Sequence, residues 1–302
     1  MAELDLCRSP QKRWAPMRSL VLPLQHKSVE SWNTTLMRML EQSKMFDVSW
    51  ANMPMAPSIP GNRRGWNFNI MKLDGVSIAL DTWDDNAPTS LYHASHLFDK
   101  GACFADVKLI LKIQYRDNPF ITDFVKNTGI KVTPWTIFPS RVFKMGAFKW
   151  ENKAHKYLVS TTGRNSRFGR IPWVEYCKKR GDCYVPEQHV NHKDEESIYY
   201  QTLADTCFGL VLKGLPRSDG KNRRETEWAS CSIPLILNYQ PTYQFPFKAS
   251  EHYIYMTKPE QLDTLKDINP QPYSDAITQV YNDYFSPVGM AKELIRLVDT
   301  LL

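Results

Sequence analysis

The chain has 302 residues, 42% of them hydrophobic and 23% charged, with a formal net charge of +6. That balance excludes a disordered chain and falls short of a nucleic-acid-binding signature, and no apolar run approaches the ~20 residues of a membrane span. The length holds one large domain or two of ordinary size.

Residues 1–20 lack the apolar core of a signal peptide. The six cysteines, Cys7, Cys103, Cys177, Cys183, Cys207 and Cys231, form no Cys-x-x-Cys pair and fit no common zinc spacing. Cys207 and Cys231 border apolar runs and are expected to act as small buried hydrophobes. A reducing, cytoplasmic setting follows as the expectation.

In chain order, Ser19–Leu24 is strand-like, and Val29–Ser43 sets Val29, Trp32, Leu36, Met39 and Leu40 on one helical face. Phe46–Trp50 follows as a strand, and residues 51–65, with three prolines and two glycines, as a loop. Asn67–Leu73 and Val76–Leu80, joined by Asp74-Gly75, predict a hairpin. Val107–Ile113 is an apolar strand interrupted only by lysines, and Ile130–Phe138 is another strand. A polar, basic crossing over residues 139–156 separates two halves.

The second half repeats the alternation. Tyr157–Thr161 is a strand, Ile171–Arg180 a helix with Pro172 in its first turn, Tyr184–Val185 a short strand and Ser197–Thr206 a helix. Cys207–Leu212, a loop, Arg223–Ser230 and Ile233–Leu237 read as strand, loop, helix and strand; Tyr253–Tyr255, Ser274–Tyr284 and Val288–Leu302 close the chain as a strand and two helices. Strands alternating with helices predict α/β architecture with parallel sheets covered on both faces. Two such halves, 1–150 and 151–302, suggest two doubly wound domains facing a cleft.

Three places carry candidate chemistry. Thr161–Arg170 follows a strand and precedes a helix, the position where doubly wound folds bind ligands, and it places Arg164, Arg167 and Arg170 at spacing three. A solvated basic loop explains the same residues, and no Walker or G-x-G-x-x-G pattern is present. The segment after Leu212 places Arg224 and Glu227 on one helix face, where a surface ion pair is the plain alternative. In the first half, Val76–Leu80 runs into Asp81-Thr82-Trp83-Asp84-Asp85. Asp81 or Asp84 suits a general base, Trp83 suits stacking on a sugar, and His26, His93 and His96 are further candidates. Capping of a following helix explains the same acids.

Over roughly residues 155–250 the chain resembles the exostosin family of GT-B glycosyltransferases. The matching elements are CFGLVLKG, RSDGKN, RRETE and IPLIL, and the loop Gly163…Arg170 is similar to the family's Gly-then-Arg loop. Trp228 stands where the family usually has alanine, Ser232 where it usually has glycine, and Asn222 where serine is common. The resemblance implies an inverting transfer from a UDP-sugar to a glycan hydroxyl, with Asp81 or Asp84 as base. It implies a donor site of Gly163, Arg164, Arg170, Lys213, Ser218, Arg224 and Glu227, and an acceptor side of Trp83, Asp85 and His26. Arg224 and Arg170 would hold the diphosphate and Glu227 the ribose hydroxyls. No metal or cofactor is expected, because cations and helix dipoles stabilise the leaving group. Similar exostosin-like xylosyltransferases in large DNA viruses of algae make xylose the expected sugar. Trp228 and Ser232 also suit a non-catalytic carbohydrate- or nucleotide-binding protein with a degenerate transferase fold.

Overall fold

The structure is a computed structural model that describes residues 17–24, 32–53, 68–81, 106–113, 115, 119–135, 149–161, 168–186, 202–213 and 223–302. Its strands are β1 (Arg18–Pro23), β2 (Phe46–Ala51), β3 (Phe68–Leu73), β4 (Val76–Asp81), β5 (Val107–Lys112), β6 (Lys131–Pro134), β7 (Tyr157–Thr161), β8 (Cys183–Tyr184), β9 (Thr206–Val211), β10 (Leu235–Leu237) and β11 (Ile254–Tyr255). Its helices are α1 (Trp32–Gln42), α2 (Pro119–Thr128), α3 (Ile171–Lys179), α4 (Arg223–Ser230), α5 (Gln271–Val280) and α6 (Pro287–Asp299). A 3-10 segment, Pro259–Asp267, joins them, and a π turn, Tyr281–Phe285, links α5 to α6.

The strands form two sheets, as the alternation predicts. The first has the order β2-β1-β3-β4-β5-β6 and the second β11-β10-β9-β7-β8. The second is parallel throughout. The first departs from the parallel expectation at one strand: β3 runs antiparallel to both β1 and β4. The cause is local. Asp74 and Gly75 both take positive φ (48° and 82°), a two-residue turn that can only reverse the chain. Asp74 then ties the turn to β1, accepting from the Ser19 amide at 2.9 Å and from the Arg18 guanidinium.

Side-chain alternation covers both faces of each sheet. In the first, Leu20, Leu22, Ile78, Leu80, Leu109 and Leu111 face α1, while Ile70, Ala79 and Ile110 pack on Ile121 and Phe124 of α2. In the second, Val159, Phe208, Leu210 and Ile236 meet Trp173, Val174 and Cys177 of α3 and the 3-10 segment, while Val211, Leu235 and Leu237 share a core with α4, α5 and α6. That last core is continuous with the α1 side of the first sheet. Helix α6 packs against α1, Asp299 pairs with Arg18, and Thr300 accepts from Lys131 at 3.0 Å. The C-terminal helix of the second half therefore rests on the first half. Among the described residues, no helix is long and apolar enough to cross a membrane.

Candidate functional site

The order of the second sheet locates a site before any side chain is considered. Counted from β7, its strands lie 2-1-3-4-5, a doubly wound order in which the chain leaves β7 in one direction and returns beyond it in the other. Helix α3, after β7, covers one face; helix α4, after β9, covers the other. The crevice at the carboxyl ends of β7 and β9 is where such folds bind ligands. Arg170, Lys213, Arg224 and Glu227 all sit on the segments that leave these two ends.

Arg170 is buried at the start of α3, where Pro172 fits the first turn. Its Nε donates to the Lys213 carbonyl at 3.0 Å and its Nη2 to the Leu212 carbonyl at 2.9 Å. Two of its nitrogens therefore hold the end of β9, beside the place where the resemblance puts the diphosphate. The same strand end is held from the other side by Asn238, whose Oδ1 accepts from the Lys213 amide at 2.7 Å. Asn238 was not visible as a site residue in the sequence. The one signal was a polar residue at the carboxyl end of an apolar strand.

Arg224 and Glu227 pair across one turn of α4, Nη1 to Oε2 at 2.5 Å. The plain alternative of a surface ion pair does not hold, since the Glu227 side chain is 1% exposed and that of Arg224 12%. The carboxylate is enclosed, and the arginine side chain keeps what exposure the pair has. The helix is short, eight residues, and buried from Glu225 onward on every side. Glu225 reads in the sequence as another surface charge, but it is fully buried, with the hydroxyls of Tyr239 and Tyr243 donating to its two carboxylate oxygens. Burial, then the Glu225 charge, pushes the Tyr243 hydroxyl well above its ordinary pKa.

The two departures at the back of α4 are packing features. Trp228 is fully buried against β9 at Gly209, where an added Cβ would lie 1.8 Å from Cε3 of the indole. Ser232 has φ 63° and ends the helix: its amide donates to the Ala229 carbonyl at 3.0 Å, and the Ile233 amide to the Trp228 carbonyl at 3.1 Å. That is a Schellman stop with serine in the left-handed position usually held by glycine. Lys149 adds a cation at the C-terminal end of the helix, donating to the Ser230 carbonyl at 2.9 Å, and the Trp150 amide donates to the Cys231 carbonyl at 2.7 Å.

In the first sheet, Asp81 ends β4 as expected. Its carboxylate pairs with Lys112 at the end of β5, Oδ2 to Nζ 2.9 Å, with side chains 1% and 0% exposed. Of the two acids expected as base, Asp81 is thus enclosed with a cation in this structure. Asp84, Trp83, Asp85, His26, His93 and His96 lie outside the described residues, as do Gly163, Arg164 and Ser218. Among the described residues, no three His, Cys, Asp or Glu side chains gather to hold a metal. Of the two cysteines expected to be buried, Cys231 is and Cys207 is half-buried, and burial pushes each thiol up to about 11.

No protein-family model matches the chain, and no curated protein matches it. Among solved structures it is similar to accessory secretory protein 1,2 and 3 in Streptococcus pneumoniae (9% identity, 68% of this chain and 46% of that one, TM-score 0.42). It is also similar to the GtfA/B complex (12% identity, 87% and 54%, TM-score 0.40). A third is AviGT4, a glycosyltransferase involved in avilamycin A biosynthesis (12% identity, 91% and 91%, TM-score 0.39). The chain spans about half the length of the first two. Similarity at this level leaves the chemistry of the site to its own residues.

Proposed function

We propose that the protein is a GT-B glycosyltransferase that binds a nucleoside-diphosphate sugar at the carboxyl ends of β7 and β9. The observation that carries this reading is the half-open Arg224–Glu227 pair at the start of α4, set at the topological switch point of the second sheet. A free buried charge would be expensive, so each partner must stay satisfied with or without ligand. A nucleotide sugar meets that condition. Its diphosphate replaces Glu227 as the anion beside Arg224, and its ribose hydroxyls replace Arg224 as donors to Glu227. The amides at the start of α4 add positive potential. Arg170 and Asn238 shape the site indirectly, by fixing Lys213 and the end of β9.

The donor is UDP-linked, with xylose as the favoured sugar, and the acceptor is a glycan hydroxyl. Transfer inverts the anomeric carbon: the acceptor oxygen loses its proton to a carboxylate, forms a bond to C1, and the bond from C1 to the diphosphate oxygen breaks. Arg224 and the helix amides stabilise the charge that develops on UDP, without a metal. Asp84 takes the base role in place of Asp81. The non-catalytic alternative drew on Trp228 and Ser232, and packing accounts for both.

The test is UDP release across a panel of UDP-sugars together with calorimetric UDP binding. Binding and release from one sugar, both lost in Glu227→Ala, is the expected result. UDP binding without turnover on any sugar leaves a binding protein, and no UDP binding at all overturns the reading.

A further inference from the structure

We infer that Glu225 is a positioning residue for this site: clamped by the hydroxyls of Tyr239 and Tyr243, it sets the rotation of α4 and thereby aims the Arg224–Glu227 pair. The inference rests on the nucleotide-sugar reading of that pair.

Three observations carry it. First, Glu225 and Glu227 are two residues apart on a helix that turns about 100° per residue, so they point to nearly opposite sides. Any rotation of α4 that frees Glu225 also swings Glu227 and Arg224 away from the crevice. Second, apolar contacts alone do not fix such a rotation, because they are non-directional, whereas two hydroxyl-to-carboxylate hydrogen bonds are directional. Trp228 and Ala229 on the rest of the buried surface are of the apolar kind; Thr226 and Ser230 are buried with them, and the Ser230 hydroxyl bonds within the helix, to the Glu227 carbonyl at 2.7 Å, which does not fix its rotation. An acid in that slot is explained by direction, since a hydrophobic residue of similar volume would give equal or greater stability. Third, both tyrosines lie in Asn238–Tyr243, the segment that leaves β10, and Asn238 in that segment also holds the Lys213 amide. One short stretch of chain therefore grips both sides of the β9–α4 connection: Lys213 on β9's side and Glu225 on α4's side. The pair that meets the ligand and the strand end beneath it are held in one register by a segment that itself lies behind the site.

The experiment compares wild type with Tyr239→Phe/Tyr243→Phe, Glu225→Gln, and Val298→Ala in α6 as a core control of similar stability loss. Two quantities are read in each: the dissociation constant for UDP by calorimetry, and amide hydrogen exchange over Glu225–Ser230. The double phenylalanine variant is expected to weaken UDP about tenfold and to speed exchange in α4 by a similar factor, the effect of losing a hydrogen bond to a charged group. Glu225→Gln, whose amide both accepts and donates and so serves both hydroxyls, is expected to stay within about threefold of wild type. Val298→Ala is expected to leave both quantities at wild-type values. If the double variant binds and exchanges like Val298→Ala, the clamp is overturned while the donor site stands. If wild type does not bind UDP yet α4 exchange responds to the double variant alone, the donor reading is what fails.

Discussion

Each sheet carries a buried cation–carboxylate pair at the carboxyl ends of its strands, and the two differ in one respect. Asp81 and Lys112 are sealed on both sides, 1% and 0% exposed. Arg224 and Glu227 are sealed on the acid only, with the arginine 12% exposed. The neighbouring topology differs in step. In the first sheet the antiparallel β3 stands between β1 and β4, the strands where the chain changes direction; in the second, β7 and β9 are direct neighbours. A sealed pair holds two strands together. A half-open pair can exchange one partner for a ligand. On the proposed reading, two pairs of the same chemistry serve structure in one place and recognition in the other, and accessibility decides which.

The sharpest way to break this contrast is to remove each acid. Asp81→Ala leaves Lys112 charged with no route to water, and the expected loss is about 3–5 kcal/mol in urea unfolding. Glu227→Ala leaves Arg224 able to reach solvent, so its expected loss is roughly 1–2 kcal/mol, while UDP binding disappears. Equal stability losses for the two variants would mean that the exposure difference has no energetic meaning. UDP binding that survives Glu227→Ala would remove the recognition half of the contrast.

A second prediction concerns the rigidity beneath the half-open pair. Gly209 lies under Trp228, and an added methyl would overlap the indole at 1.8 Å. Gly209→Ala is expected to cost about 1–3 kcal/mol, the range for overpacking, because the strand and the ring are both fixed. In a Trp228→Leu background the same substitution should cost much less, a non-additivity that marks a shared contact. Additive losses in melting experiments on the double variant would show that α4 moves freely over β9.

Part of this was legible in the sequence. Asp74-Gly75 announced its hairpin because the turn chemistry is local, and Arg223–Ser230 was bounded correctly by the polar loop before it and the apolar strand after it. The sealed pair was not legible. Parity alone would put Lys108 and Lys112 on one face of β5, yet the register shifts at Lys108, between the Ser77–Val107 and Ile78–Leu109 pairs, and leaves it exposed, while the pairing of β5 with β4 brings Asp81 to Lys112. Glu225 and Glu227 were equally opaque. Two charged residues in a charged stretch look alike until the segment after β10 folds back and supplies two tyrosines to one of them. The antiparallel course of β3 was implied by the hairpin itself, but its insertion between β1 and β4 depends on long-range pairing that no local pattern encodes.

The smallest predicted effect tests whether the back of α4 belongs to recognition at all. Ser232 holds a left-handed conformation at φ 63°, which strains a residue bearing a Cβ. Ser232→Gly removes that strain, and after subtracting the greater freedom of glycine in the unfolded chain the net gain is about 0.5–1 kcal/mol. The hydrogen bonds of the helix stop are made by main-chain atoms and survive the change, as does the acceptance by the Ser232 carbonyl of the Ser274 hydroxyl at 2.7 Å. The variant should therefore melt higher while its UDP affinity and its choice among UDP-sugars stay as in wild type. A changed sugar preference would contradict the division drawn here, because it would carry recognition from the open front of the helix to its buried end.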